Sequence, residues 1–134
     1  MRSRLLGSCA LIVATAGLVA CGQSTDPSGS SGQATGATCP QGSELTYETF
    51  ARDFMESYCT RCHASSLRSA DRQGAPSDHN FDTLAGLRAT DPEHIDEQAA
   101  AGPNANNTAM PPTAPTPSNA ERQKLGEWLA CGMR

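Results

Sequence analysis

The stretch Cys59-Thr60-Arg61-Cys62-His63 decides how the rest of the chain is read. Two thiols three positions apart, with an imidazole directly after the second, form C-x-x-C-H, the pattern of covalent c-type haem attachment. Each thiol can add to one vinyl group of a haem, and His63 is then held under the iron as the proximal ligand. Two other chemistries also use C-x-x-C. A zinc site would need two further ligands from Cys39, His79, His94 or Cys131, none of which stands at a paired spacing. Thiol–disulfide exchange wants the pair at the start of a helix within alternating strands and helices.

Upstream of that motif, residues 1–20 read as an export signal. Arg2 and Arg4 make a charged front, and Leu5 to Ala20 is apolar or small and carries no charge. The run is short for a membrane span. It ends in Leu18-Val19-Ala20-Cys21-Gly22, which resembles the lipobox of bacterial lipoproteins, where the signal is cut before the cysteine and Cys21 carries lipid. The expected location is therefore outside the cytoplasm, anchored to a bacterial membrane and facing the periplasm or the cell exterior. A plain secretory signal cut nearby is the competing reading.

The whole chain has a formal charge of -4. Losing Arg2 and Arg4 makes the mature balance more acidic still, which argues against nucleic acid, whose phosphates need a positive face. Six cysteines divide by subtraction: Cys9 leaves with the signal, Cys21 takes lipid, Cys59 and Cys62 take the haem, and Cys39 and Cys131 remain. Outside the cytoplasm such a leftover pair favours a disulfide. Closing nearly the whole domain into one loop would contribute at most about 4–5 kcal/mol in the chain-entropy account.

Residues 21–38 offer almost nothing apolar and read as a flexible tether, leaving 39–134 as the folded domain. Thr46 is the expected N-cap of a first helix over about 47–60, with Leu45 and Phe50 placed as a hydrophobic staple. Tyr47, Phe50, Phe54 and Tyr58 recur at steps of three and four, so one face of that helix is aromatic and runs into the Cys59 motif. Residues 64–78 read as a loop with at most one short turn. Asn80 is expected to cap a short helix carrying Phe81, Leu84 and Leu87. Asp91-Pro92 opens another helix that should stop by Gly102-Pro103. A proline-rich stretch follows, with Met110 as its bulky apolar side chain, and Ser118-Asn119-Ala120-Glu121 is a capping box opening a last helix that buries Leu125, Trp128 and Leu129 and ends at Gly132. With no strand-like alternation anywhere, the expected fold class is all-α.

On these residues the chain resembles a known family, the small single-haem class I c-type cytochromes, in the form found as short exported or lipid-anchored domains. The resemblance covers about residues 45–132: an N-terminal helix, Cys-Thr-Arg-Cys-His, a long loop, Met110-Pro111, and a C-terminal helix with an aromatic residue. It implies a small helical domain around one covalent haem c. It implies Met110 as the second axial ligand, and a physical case stands beside it: a thioether suits low-spin haem iron, and the following prolines restrict the loop that presents the sulfur. It further implies that the proximal histidine's other N–H donates to a carbonyl of a Gly-Pro segment, for which Gly74-Ala75-Pro76, and Pro76 in particular, is the match despite the extra Ala75.

Competing assignments stay open. His79 or His94 could replace Met110 as ligand, whereas Met55 and Met133 lie on the first helix and at the chain's last residues. Arg61, Arg68, Arg72 and Arg88 are candidate partners for the propionates. Asn106, Asn107 and Thr108 could bond a propionate or the methionine sulfur. The expected function is electron transfer to and from redox partner proteins, with the lipid on Cys21 holding the domain at a membrane and no enzyme chemistry. The alternatives are a five-coordinate haem domain that handles peroxide or senses a small gas, and a non-haem lipoprotein whose C-x-x-C is structural.

Overall fold

A computed structural model describes residues 32–134. The export segment, Cys9 and Cys21 lie outside the described residues. Among those described, the regular elements are helical and none forms a strand; Ala101 and Asn106 make one isolated antiparallel bridge. No described helix is long and apolar enough to cross a membrane.

Thr46 caps the first helix as its sequence indicates. Its hydroxyl accepts the Thr49 N–H at 3.1 Å, and the Thr49 hydroxyl accepts the Thr46 N–H at 2.9 Å, so two orphan donors are satisfied reciprocally. The opening turn, Tyr47–Ala51, is π-helical: the Thr46 carbonyl accepts from both Phe50 and Ala51. Helix α1, Arg52–Tyr58, continues it. Phe50, Phe54 and Tyr58 pack in sequence, tilted and then edge to face, with centroids 5.5 and 5.1 Å apart, and Phe54 and Met55 are buried. The predicted aromatic face is thus a packing face.

The loop after His63 holds one 3₁₀ turn, Ser69–Arg72. Helix α2, Leu84–Arg88, starts later than expected. Thr83, not Asn80, is its cap, accepting the Gly86 N–H at 3.1 Å. The Asn80 side chain instead accepts from Arg72 at 3.0 Å and donates to the Ser77 carbonyl at 3.2 Å, so a tertiary partner outcompetes the local capping role. Helix α3, Pro92–Ala99, has the expected start: the Asp91 carboxylate accepts the Glu93 N–H at 3.0 Å, and Pro92 stands at the first helical position. It stops before Gly102 because Ala100 and Ala101 turn away to bond Asn107 N–H and the Arg122 carbonyl.

Helix α4, Asn119–Ala130, opens with the Ser118–Glu121 capping box and buries Leu125, Trp128 and Leu129. It ends at Gly132, whose φ of +76° puts it in the left-handed region that a glycine tolerates without strain. α4 packs on α3, and Tyr58 of α1 reaches it through a 2.9 Å hydrogen bond to Glu121. Met55, Leu87, Leu125 and Trp128 are the largest apolar side chains fully buried where these helices meet. At about 1.5–3 kcal/mol for each such side chain, this junction is the main source of stability.

Cys39 and Cys131 form a disulfide, with Cα atoms 4.8 Å apart. Nearby, the Arg134 carbonyl accepts from the Tyr47 N–H and the Trp128 indole, which seats the chain's last residues on the start of the first helix.

One stretch departs from its composition. Residues 33–37, read as the end of a tether, are docked on the helices. Thr35 is fully buried; its N–H and hydroxyl donate to the two Asp96 carboxylate oxygens at 2.8 and 2.7 Å, and its carbonyl accepts the Asn104 N–H at 2.9 Å. Ala37 lies against Gly126 of α4. A low-apolar sequence can still be ordered when its backbone and one hydroxyl find charged or backbone partners.

Candidate cofactor site

The C-x-x-C-H motif is the turn that follows α1. Cys59 N–H still bonds the Met55 carbonyl, and the Cys59 carbonyl then accepts from Cys62 at 3.1 Å and His63 at 3.0 Å. This turn directs Cys59, Cys62 and His63 into a cleft of about 520 Å³, a size ordinary for small-molecule and cofactor sites. Met55, Phe81, Ile95 and Leu125 give it an apolar lining, and Met110, Pro111 and Pro112 contribute another stretch of wall.

His63 is held by the segment 79–81. Its carbonyl accepts the Phe81 N–H at 2.7 Å, its ring lies on the Phe81 ring with centroids 4.6 Å apart and planes 11° from parallel, and its Nδ1 is 3.3 Å from the His79 carbonyl. The acceptor expected at Pro76 is therefore found at His79. Pro76 lines the same cleft, but its carbonyl is taken by the Arg72 guanidinium. The chain needs three more residues after the Gly-Ala-Pro segment to bring a carbonyl under the imidazole. With Nδ1 bonded to a carbonyl, the ring is fixed in the tautomer that leaves Nε2 with a lone pair for a metal. Burial also pushes the His63 pKa down, which favours this neutral form.

Arg72 organises the loop behind His63. It is 5% exposed and donates to the carbonyls of Ala64, Ala75, Pro76 and His79 and to the Asn80 side chain. The His79 carbonyl that faces His63 is thus itself anchored, at 2.8 Å, by a buried cation. Sequence alone ranked Arg72 no higher than three other arginines. Of those, Arg61 bonds the carbonyls of Thr113 and Ala114, Arg68 bonds its own loop, and Arg88 bonds the Met133 carbonyl. Because Arg61 belongs to the motif, it ties the two thiols to the loop that carries Met110.

Met110 is 39% exposed, the most exposed of the described large apolar side chains, so it is no filler of the core. Its backbone is held at both ends: its N–H donates to the Gln98 carbonyl at 2.9 Å, and its carbonyl accepts from Arg122 at 2.8 Å. Asn107 is engaged structurally, with the Gln33 backbone and the Asp96 carbonyl.

His79 and His94, the alternative ligands, line the cleft too, with their rings 5.2 Å apart. His79 also stacks at 6.2 Å on His63. Arg122 escaped the sequence reading altogether. A usable signal exists: positions 122, 125, 126 and 129 share one face of α4, the buried one, and an arginine there must find partners.

Cys59 differs from the activated thiol of a redox-active pair. Burial pushes Cys59 up to about 12, against the opposing pull of the Arg122 and Arg61 charges, so it is a neutral thiol at physiological pH. Zinc fits no better, since the disulfide removes Cys39 and Cys131 from the candidate ligands and no group of three or more His, Cys, Asp and Glu is arranged for a metal ion among the described residues. Searches against family models, curated proteins and solved structures found no match to this chain.

Proposed function

We propose that the chain is an exported, lipid-anchored class I c-type cytochrome that carries single electrons between partner proteins, with haem c bound through Cys59 and Cys62 and ligated by His63 and Met110. The observation that carries this reading is the convergence of these four side chains on one apolar cleft of about 520 Å³. The residues fit the group chemically. Both thiols are free cysteines that line the cleft, the histidine has its Nδ1 engaged by a carbonyl, and Met110 offers a thioether on the same cleft.

Bound there, haem would supply an iron centre that changes oxidation state without making or breaking a substrate bond. The chain's own residues then do the rest. His63 is oriented by the His79 carbonyl and Phe81, Arg72 fixes that carbonyl, and the apolar lining excludes water and so bears on the potential. With His63 and Met110 both holding the iron, no position would be open to a substrate, which favours electron transfer over catalysis.

The exposure of Met110 gives one rival reading its footing: a labile sixth ligand would leave a five-coordinate haem domain that handles peroxide or a small gas. A visible spectrum of the exported full chain, recorded during reduction at controlled potential, separates the readings. A sharp reduced alpha band and a weak sulfur-to-iron band near the red edge are expected, and Met110→Ala should abolish the second. High-spin features in the unaltered protein favour the rival, and absence of a Soret band removes haem altogether.

A further inference from the structure

We infer that Arg122 is a positioning residue for the sixth ligand: from within α4 it pins the segment that presents Met110 to the cleft. This rests on the reading of Met110 given above. Arg122 is 3% exposed, and among the described residues its hydrogen-bond acceptors are backbone carbonyls and no carboxylate. The two N–H groups of its Nη1 serve three carbonyls, one N–H being shared: those of Ala99 at 2.7 Å, Asn107 at 2.8 Å and Met110 at 2.8 Å.

Those carbonyls belong to the end of α3 and to both ends of the short stretch 107–110. A buried guanidinium is costly to desolvate, and here its compensation comes from backbone oxygens of one segment. That segment has no regular structure and few apolar anchors, so the cation supplies what packing does not. Together with the bond from Met110 N–H to Gln98, it leaves the Met110 side chain as the free part of a fixed backbone. Arg122 is not among the residues that line the cleft, so it holds the Met110 side chain in place through the backbone and not by touching it.

The consequence is a thioether that holds its place against competing ligands because its backbone has little freedom to swing away. The test uses the haem-loaded full chain and imidazole as the competing ligand, following loss of the sulfur-to-iron band. In Arg122→Gln the imidazole concentration for half-displacement should fall about tenfold, given the loss of two charge-assisted N–H donors shared among three carbonyls. Arg122→Lys, which keeps a cation with three donors, should recover a large part of it, and Met110→Ala marks the limit in which no band remains. Far-UV circular dichroism of each variant reports whether α4 is intact.

Where Arg122→Gln fails to fold, the reciprocal measurement on unaltered protein decides. Coupling is mutual, so displacing Met110 with imidazole should speed hydrogen exchange at the Arg122 guanidinium in a nitrogen-15 spectrum. An unchanged half-displacement in folded Arg122→Gln, or exchange indifferent to imidazole, overturns the proposal while leaving Met110 ligation standing. An unaltered protein with haem but no sulfur band overturns both.

Discussion

Gln33 and Asn107 face each other as an amide pair: the Gln33 N–H donates to the Asn107 side-chain oxygen at 3.3 Å, and the Asn107 amide donates to the Gln33 carbonyl at 2.7 Å. They stand 74 positions apart. The residues just ahead of Cys39 are therefore bound to the stretch that leads to Met110, and composition alone marked them as linker.

That docking predicts a stability effect in a place where a linker would show none. Thr35→Val removes the hydroxyl that donates to Asp96 and should cost about 1.5–3 kcal/mol, the range for a hydrogen bond to a charged group. Thr38→Val, three positions on and exposed, should stay within about 0.5 kcal/mol. Urea unfolding of the two variants beside the parent measures both, and equal midpoints for all three would mean that the 33–37 segment is undocked in solution.

Gly126 tests how closely the chain approaches α4. A Cβ there would meet the Ala101 carbonyl oxygen at 2.7 Å and the Ala37 Cβ at 3.0 Å. Helix propensity favours Gly126→Ala by about 1 kcal/mol, whereas forcing a packed backbone apart costs typically about 1–3 kcal/mol. The nearest contact is with backbone, which cannot swing aside, so a net loss of up to about 2 kcal/mol is expected. Thermal and urea melts give the sign directly; a stabilised variant would show that the segments do not touch.

The Tyr58–Glu121 hydrogen bond predicts two limbs of a pH profile. Hydrogen bonds from Ser118 and then Tyr58 hold the Glu121 carboxyl below its ordinary 4.5, so its contribution is present above that value and lost as pH falls through the lower folded value. Donating its O–H to the Glu121 carboxylate raises the Tyr58 phenol above its ordinary 10.0, so its contribution is present below that value and lost as pH rises through the higher one. Glu121→Gln should flatten the acid limb below pH 4.5 and Tyr58→Phe the alkaline limb above pH 10.0. Both effects should shrink in high salt or with exposure, since the pair lies near solvent. Denaturant midpoints against pH record them, and a Tyr58→Phe profile that parallels the parent above pH 10.0 contradicts the assignment.

Local signals were legible and long-range partners were not. Thr46, Asp91 and Ser118 cap their helices as read because a cap needs only a side-chain oxygen and the next two or three amides. The Cys39–Cys131 link followed from cysteine arithmetic. Asn80 failed as a cap, and Pro76 as the acceptor for His63, for the same reason: Arg72 draws the loop's polar groups to itself, and a guanidinium with five donors chooses its partners in space. The placement of Cys59, Cys62, His63 and Met110 on one cleft was legible as an ordered set of motifs. What holds each of them there, Arg72 for His63 and Arg122 for Met110, is a matter of fold.

The disulfide has a mechanical consequence. With Cys39 covalently joined to Cys131 across 92 positions, a pull on the chain ahead of residue 39 cannot lengthen the loop between them. Load arriving at residue 32 meets the Gln33 and Thr35 hydrogen bonds first, and once these give way it passes through sulfur to the end of α4. The cleft and the segments around it lie inside the closed loop and stay unloaded, so a domain pulled from the side of residue 32 would give up a few residues of slack and keep its site.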